Sequence, residues 1–139
     1  MQLSDAEWIV MNLIWDSGPT EASDVIAALG ADNDWSDATV KTMLHRLVKK
    51  GALTTEQFGK KYRYTAAVRR SACVRKASRS FLDRVFGGDA APALLHLVKT
   101  AKLSEDELAQ LRELLDDKSK KSRNRNSRNS DSRNKGSKE

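Results

Sequence analysis

Basic and hydroxyl side chains recur at helical spacing between residues 39 and 49, and further cations follow at residues 60–63. Lysine and arginine on a helix can reach guanine O6 and N7 in the DNA major groove, and a threonine methyl group can contact that of thymine. Lysines at the end of such a helix or on a hairpin reach phosphates, which position a protein without specifying sequence. The residues of this pattern are Thr39, Lys41, Thr42, His45, Arg46, Lys49, Lys50, Lys60, Lys61 and Arg63.

The charge of the chain is distributed in blocks. Residues 1–40 contain eight acids and no Lys or Arg, whereas residues 41–84 contain thirteen basic residues and two acids. Residues 85–117 are acidic again, and residues 118–139 are basic, which gives a formal net charge of +6. A basic block inside a folded region is typical of a protein that binds a polyanion. The alternative is a helix face that is merely solvated.

Several functional classes lack the residues they need. Cys73 is the single cysteine, so the chain has no internal disulfide and no cysteine-rich zinc site. His45 and His96 are the only histidines and have no further ligand at metal spacing, and Gly87-Gly88 lacks the Lys-Ser/Thr of a phosphate loop. We therefore expect no enzyme, no metal and no cofactor. The short apolar runs and the N-terminal residues predict no membrane insertion and a cytoplasmic location.

Helix signals place the basic face on the third of three short helices. Each helix has an apolar face at three- and four-residue spacing, begins at a capping residue and stops at a glycine. No strand is expected before the third helix ends. The predicted starts and stops are Ser4 and Gly18, Thr20 and Gly30, and Ser36 and Gly51.

From residue 52 the pattern changes to that of a β-hairpin. Residues 53–58 and 62–65 are rich in β-branched and aromatic types and flank a turn that contains Gly59 and two lysines. Three helices followed by a hairpin are the order of a winged helix-turn-helix domain. The predicted fold is mainly α with a small β-hairpin wing, with the DNA-binding domain over residues 1–67.

Residues 68–117 predict further amphipathic helices, which form a helical dimerisation domain. Small helical units bury a small share of their surface, and a second copy of the chain would cover their apolar stripes. Residues 118–139 contain no Leu, Ile, Val or aromatic residue, so we expect a disordered basic tail. The expected dimer contacts are Phe81, Leu82, Phe86, Leu94, Leu95, Val98, Leu108, Leu111 and Leu115.

The sequence also resembles the penicillinase-repressor family (BlaI/MecI/CopY type) over residues 3 to 117. The resemblance implies a homodimeric, sequence-specific winged-helix repressor that binds a double-stranded dyad operator. It places Thr39, Thr42 and Arg46 on the recognition helix and Tyr62 to Tyr64 on the wing. The motifs that carry it are Ser4-Asp5-Ala6-Glu7-Trp8, Thr39-Val40-x-Thr42-Met43-Leu44-x-Arg46-Leu47, Lys50-Gly51-Ala52-Leu53 and Gly59-x-x-Tyr62-x-Tyr64.

The chain departs from the family pattern at three places. Copper-responsive members carry paired cysteines near the C-terminus, which this chain lacks. Antibiotic-responsive members are cut at an Asn-Phe bond, and the matching pair here is His96-Leu97. Asp37-Ala38 replaces a usual Pro-Lys pair. The resemblance implies derepression by proteolysis in this region, near His96 and Leu97, with a membrane sensor peptidase as a partner. The substituted bond counts against cleavage, and the alternative is that His96 and Leu97 pack in the dimer interface.

Two functions remain open from the sequence. The first is a homodimeric transcriptional repressor that recognises a specific operator. The second is a winged-helix protein-interaction module with only nonspecific affinity for nucleic acid. A specific repressor prefers its operator to random duplex by about 10³-fold or more, whereas the module would bind weakly and with strong salt dependence.

Overall fold

The computed structural model describes the backbone of residues 1–136 and the side chains of residues 1–126. The chain divides into two compact units, residues 1–90 and the residues from 91 onward. The elements in chain order are α1 (Asp5–Ser17), β1 (Thr20–Glu21), α2 (Ala22–Val25, continued by a π-helical turn over Ile26–Gly30), α3 (Asp37–Lys49), β2 (Leu53–Phe58), β3 (Lys61–Ala66), α4 (Arg70–Phe86), α5 (Ala90–Thr100) and α6 (Glu105–Gly136).

Side-chain caps fix the starts of α1 and α3 as predicted. At α1 the Ser4 hydroxyl accepts from the Glu7 amide at 3.2 Å, and the Glu7 carboxylate accepts from the Ser4 amide at 3.1 Å. At α3 the Ser36 hydroxyl accepts from the Thr39 amide at 3.1 Å. Each bond satisfies an amide that has no partner within the helix. The positive φ of Gly18, 80°, ends α1, which confirms the predicted stop.

The first unit has one hydrophobic core, built by the apolar faces of the first three helices and the start of the hairpin. Close packing there fixes α3 against α1, α2 and the sheet. This packing decides which face of α3 remains exposed. The buried residues are Val10, Met11, Ile14, Val25, Val40, Met43, Leu44, Leu47, Ala52 and Leu53.

The sheet has three antiparallel strands in the order β1-β3-β2, where the sequence predicted a two-stranded hairpin. The expectation that three helices precede any strand is wrong, because Thr20 and Glu21 pair with Tyr64 and Arg63. The Thr20 hydroxyl donates to the Gly18 carbonyl at 2.6 Å, and Glu21 takes the N-cap position of α2. Thr20 and Tyr64 pair across 44 positions of sequence, which no local pattern indicates. The sequence instead predicted Thr20 as a helix cap, because threonine is common in that position.

Contacts at its N-terminal end fasten α4 to α1. The Arg70 guanidinium donates to the Asp16 carboxylate at 2.7 Å and to the Asn12 carbonyl at 3.2 Å. The Trp15 indole N–H donates to the Val68 carbonyl at 3.0 Å. The proposed domain boundary between residues 67 and 68 therefore falls inside the first compact unit, which extends to Ala90.

In the second unit, α6 begins at a capping box in which Ser104 and Glu107 exchange hydrogen bonds. The helix extends to Gly136, whereas the composition predicted disorder from Lys118 onward. Residues 105–135 contain no proline or glycine that would interrupt the helix. Residues 137–139 of the expected tail lie outside the described residues. None of the helices in the described part of the chain is long and apolar enough to cross a membrane.

Candidate nucleic-acid interface

The exposed face of α3 collects the cationic and hydroxyl side chains that the sequence singled out. Val40, Met43, Leu44 and Leu47 are buried and Val48 is half-buried, so the polar positions of the helix face solvent. The structure thus places the predicted set together on one surface, which we call the α3 face. Its exposed members are Thr39, Lys41, Thr42, His45, Arg46 and Lys49.

Hydroxyl groups near the start of α3 are already engaged with the helix. The Thr42 hydroxyl donates to the Ala38 carbonyl at 2.9 Å, which leaves its methyl group and its acceptor lone pair for a ligand. The Thr39 and Ser36 hydroxyls lie 2.8 Å apart and share a hydrogen bond. A shallow depression lies between Ala38, Thr39, Thr42, Met43 and Arg46.

Lys50 is held within the protein more closely than the other predicted DNA-contacting lysines, because its ammonium group has two near partners among the described residues. Its Nζ atom lies 2.7 Å from Glu7 Oε1 and 3.0 Å from the Gln2 carbonyl oxygen. The structure places Lys50 at the C-cap of α3, bound to the first turn of α1. Sequence reasoning missed this pair because its members are 43 positions apart.

Glu7 is 5% exposed, and its second carboxylate oxygen has no hydrogen-bond partner among the described residues. Burial opposes ionisation of Glu7 and is the largest single influence on its pKa. The hydrogen bonds from Lys50 and Ser4 together outweigh burial, and the pKa is lowered from its ordinary value of 4.5. Glu7 is therefore an ionised anchor for the C-terminal end of α3.

The wing presents a second group of cations. Gly59 and Lys60 form the two-residue turn between β2 and β3, and the positive φ of Gly59, 63°, favours glycine at this position. The Arg63 guanidinium lies 4.6 Å from the centre of the Phe58 ring, on the face of the wing that also carries Lys61. Lys61 Nζ lies 3.6 Å from a Glu21 carboxylate oxygen.

The tyrosines lie on the opposite face of the wing. Tyr62 pairs with Gln57 near the tip and is 51% exposed. Tyr64 packs against the hydrophobic core, and its burial raises the pKa of its hydroxyl. Of the two aromatic side chains, Tyr62 is thus the one available to a ligand of the wing.

The predicted dimer and cleavage residues lie on α4, α5 and α6. Of the α4 residues, Phe81 is exposed, while Leu82 and Phe86 are half-buried. His96 and Leu97 are exposed within α5, where the His96 carbonyl accepts from the Thr100 hydroxyl at 2.9 Å. On α5 and α6, Leu94, Leu95, Val98 and Leu115 are exposed, and Leu108 and Leu111 are half-buried.

Comparison with known proteins agrees with the resemblance. The family model described as "Penicillinase repressor" matches residues 3–117. The methicillin resistance regulatory protein MecI of Staphylococcus aureus strain N315 is 34% identical over 84% of this chain and 95% of its own length. The penicillinase repressor of Bacillus licheniformis is 35% identical over 84% of this chain and 91% of its own.

Among solved structures, the DNA-binding domain of the repressor BlaI is 41% identical, with a TM-score of 0.48, over 50% of this chain and 85% of that one. None of the three relatives is named as an enzyme. The family match spans both compact units up to residue 117, and the curated relatives align over nearly their whole length. The chain therefore belongs to the penicillinase-repressor family of transcriptional repressors.

Proposed function

We propose that this DNA-binding repressor acts as a homodimer on a dyad operator, with one α3 in the major groove of each half-site. The observation that carries the proposal is the α3 face, where six polar or cationic side chains stand opposite a fully packed apolar face. A helix held so firmly presents its side chains at fixed positions, as reading of base edges requires.

Within the proposed complex, residues of the α3 face have different roles. Arg46 and Lys41 would donate to base acceptors, and Thr42 would contact a thymine methyl group. Lys49 at the end of the helix and Lys60, Lys61 and Arg63 on the wing would contact phosphates. Thr39, His45 and Tyr62 complete the proposed surface. Lys50 lies outside it, because Glu7 and Gln2 hold its ammonium group.

The homodimer is supported by the apolar side chains that α4, α5 and α6 leave exposed. Phe81, Leu94, Leu95, Val98 and Leu115 are each at least 40% exposed. A second copy of the chain would bury them and would align two α3 helices on one DNA duplex. Operator binding also requires access to the chromosome, so the proposal includes a cytoplasmic location.

Selection of binding sites from a random duplex library tests the dyad. We expect enrichment of an inverted repeat whose half-sites are about 34–36 Å apart, one turn of DNA, or a multiple of that distance. Enrichment of a single half-site, or none at all, would reject the dyad operator. A complete absence of sequence preference would favour the protein-interaction module.

Substitutions on the α3 face then test the roles of its residues on the selected site. Arg46→Ala and Thr42→Ala should each weaken operator binding, by roughly 1–3 kcal/mol for a lost base contact. Lys60→Ala should instead weaken binding to operator and random duplex alike. If Thr42→Ala bound both duplexes as the parent chain does, the proposed orientation of α3 would be wrong.

We further propose that cleavage near His96 and Leu97 lifts repression, with a membrane sensor peptidase as the protease. The segment from Ala93 to Thr100 follows the DNA-binding unit, and a cut there separates α6 from it. Loss of the link between two half-sites forfeits a gain in effective concentration of about 10²–10⁴. The DNA-contacting side chains of α3 would remain intact, but the two DNA-binding units would no longer be linked and would bind the operator more weakly.

The cleavage proposal is tested by co-expressing the chain with a sensor peptidase encoded beside it and adding the inducer. Fragment masses should place the cut within residues 93–100, and the uninduced culture is the control. Sustained induction with only intact protein would exclude proteolysis as the mechanism.

A further inference from the structure

A groove of about 690 Å³ lies between α4 and the N-terminal end of the chain, in the first compact unit. Its apolar wall is formed by Leu3, Trp8, Val68, Ala72 and Ala77. Pockets of about 300–1,000 Å³ with apolar walls and a few polar groups are typical sites for small molecules. The volume and the indole of Trp8 suit a flat, apolar ligand.

Cations line the α4 side of this groove. Lys76 and Arg84 are eight positions apart on α4, with Ser80 between them on the same helix face. Neither cation is within ion-pair distance of a carboxylate among the described residues. Asp5 is the single acid in the lining. The groove therefore joins an apolar wall to two cations that have no ion-pair partner within the described part of the chain.

We propose that this groove binds a small organic anion with a flat apolar body, of the aromatic carboxylate class. The ring would lie against Trp8 and the neighbouring aliphatic side chains, and the carboxylate would meet Lys76 and Arg84. A hydrogen bond to a charged partner is stronger than one between neutral groups, so the anion contributes to affinity as well as to orientation. This site goes beyond the proposed binding of an operator.

The groove is connected to the DNA-binding surface by a short route. Gln2 lines the groove, and its carbonyl oxygen accepts a hydrogen bond from Lys50 Nζ at 3.0 Å. Lys50 caps the C-terminal end of α3 and pairs with Glu7. A ligand that moves residues 1–4 would therefore disturb the anchor of α3. This regulatory step rests on the proposed function, whereas binding in the groove does not.

Cys73 provides a direct measure of occupancy, because it is the only cysteine and lines the groove. We would measure its alkylation by iodoacetamide in the full chain without DNA, in the presence of 2-naphthoate. The neutral 2-naphthamide, which has the same ring system, is the matched control. We expect 2-naphthoate to slow alkylation at concentrations where 2-naphthamide has little effect. Equal protection by the two compounds, or none, would overturn the anion site.

Paired variants on α4 test the role of the two cations. The double variant Lys76→Gln with Arg84→Gln should weaken protection by 2-naphthoate about tenfold. The matched control, Arg75→Gln with Arg79→Gln, removes the same charge from exposed positions outside the groove lining. Urea unfolding of both double variants shows whether they remain folded. An equal loss of protection in the two double variants would overturn the assignment of Lys76 and Arg84 to the anion site.

The effect of groove occupancy on α3 is tested separately, by measuring affinity for the DNA site selected from the random library. We expect 2-naphthoate to change operator affinity in the parent chain, and we expect Lys50→Met to abolish that change while protection of Cys73 persists. Protection without any change in affinity would overturn the link and leave the binding site in place. Failure of the chain to select a DNA site would overturn the proposed function without affecting the alkylation result.

Discussion

The same four-residue capping motif starts α1 and α6, yet the two sites differ in their surroundings. In both, the hydroxyl–amide and carboxylate–amide bonds measure 3.2 and 3.1 Å. Glu7 is buried and also binds Lys50 from the end of α3, whereas Glu107 is exposed and, among residues whose side chains are described, binds Ser104 alone. The local motif therefore sets where a helix begins, and the tertiary setting determines what else its carboxylate does.

The contrast extends to the two compact units. Apolar residues of α1 and α3 form a shared core, whereas on α6 Leu114 and Leu115 are 58% and 61% exposed. An isolated helix gains little from local bonds alone, and most helical stability comes from packing of an apolar face. The first unit packs its own helices, while α6 leaves part of its apolar face without such packing.

The largest effect should follow from a charge on the apolar face of α6. Leu111→Asp should prevent the proposed homodimer and weaken operator binding by about 10²–10⁴-fold, because two linked half-sites become independent. Sedimentation and DNA titration measure the two consequences. Gln110→Asp, on the exposed neighbouring position, is the control. A monomeric parent chain at tens of micromolar would contradict the proposed dimer.

Truncation of a buried side chain in the core of the first unit should have the next largest effect, on the free energy of unfolding. Leu44 is fully buried, and Leu44→Ala should lower the free energy of unfolding by about 2–5 kcal/mol through lost burial and an unfilled cavity. Ile9→Ala is the matched control on α1, because Ile9 is 38% exposed and should cost less. Urea unfolding measures the stability of both variants. Similar losses of stability would contradict the expectation that burial makes Leu44→Ala the more destabilising change.

Removal of the Glu7 charge directly tests the difference between the capping boxes. Glu7→Gln should destabilise the fold by about 1–3 kcal/mol at neutral pH, because Lys50 loses a charged partner. Glu107→Gln, which affects only an exposed local cap, should have a smaller effect. Urea unfolding of both variants gives the comparison, and equal losses would contradict the role of Lys50.

The same pair predicts a dependence on pH. Because folding lowers the pKa of Glu7 from 4.5, its contribution to stability is present above that value and is lost as the pH falls through the lower folded pKa. The difference in stability between the parent chain and Glu7→Gln should therefore shrink below about pH 4.5. A constant difference from pH 7 to pH 3 would contradict this account.

The smallest effect concerns the basic end of α6. Residues 118–139 contain nine Lys and Arg residues and two acids, and the described side chains from 118 to 126 are exposed. Deletion of residues 118–139 should reduce both the affinity for random duplex and its salt dependence, because fewer counterions are released. The proposed dimer should persist in sedimentation. Equal salt slopes before and after deletion would exclude a role in DNA binding.

The sequence predicted features that depend on neighbouring residues. The caps at Ser4 and Ser36, the hairpin and the exposed α3 face all follow from local types and spacing, and the structure confirms them. The β1 strand and the Lys50–Glu7 pair depend on partners more than 40 positions away. Such pairings arise when the core closes, so no short window of sequence contains them.

The two-residue β1 strand gives the wing an uneven resistance to opening. At Arg63 and Tyr64 the central strand β3 is paired on both sides, whereas residues 58–61 at the tip have only their hairpin partner. Amide protons at the base of the wing should therefore exchange more slowly than those at the tip, where local fraying is enough for exchange. In the proposed complex, the tip of the wing would adjust to the DNA backbone while its base keeps its register.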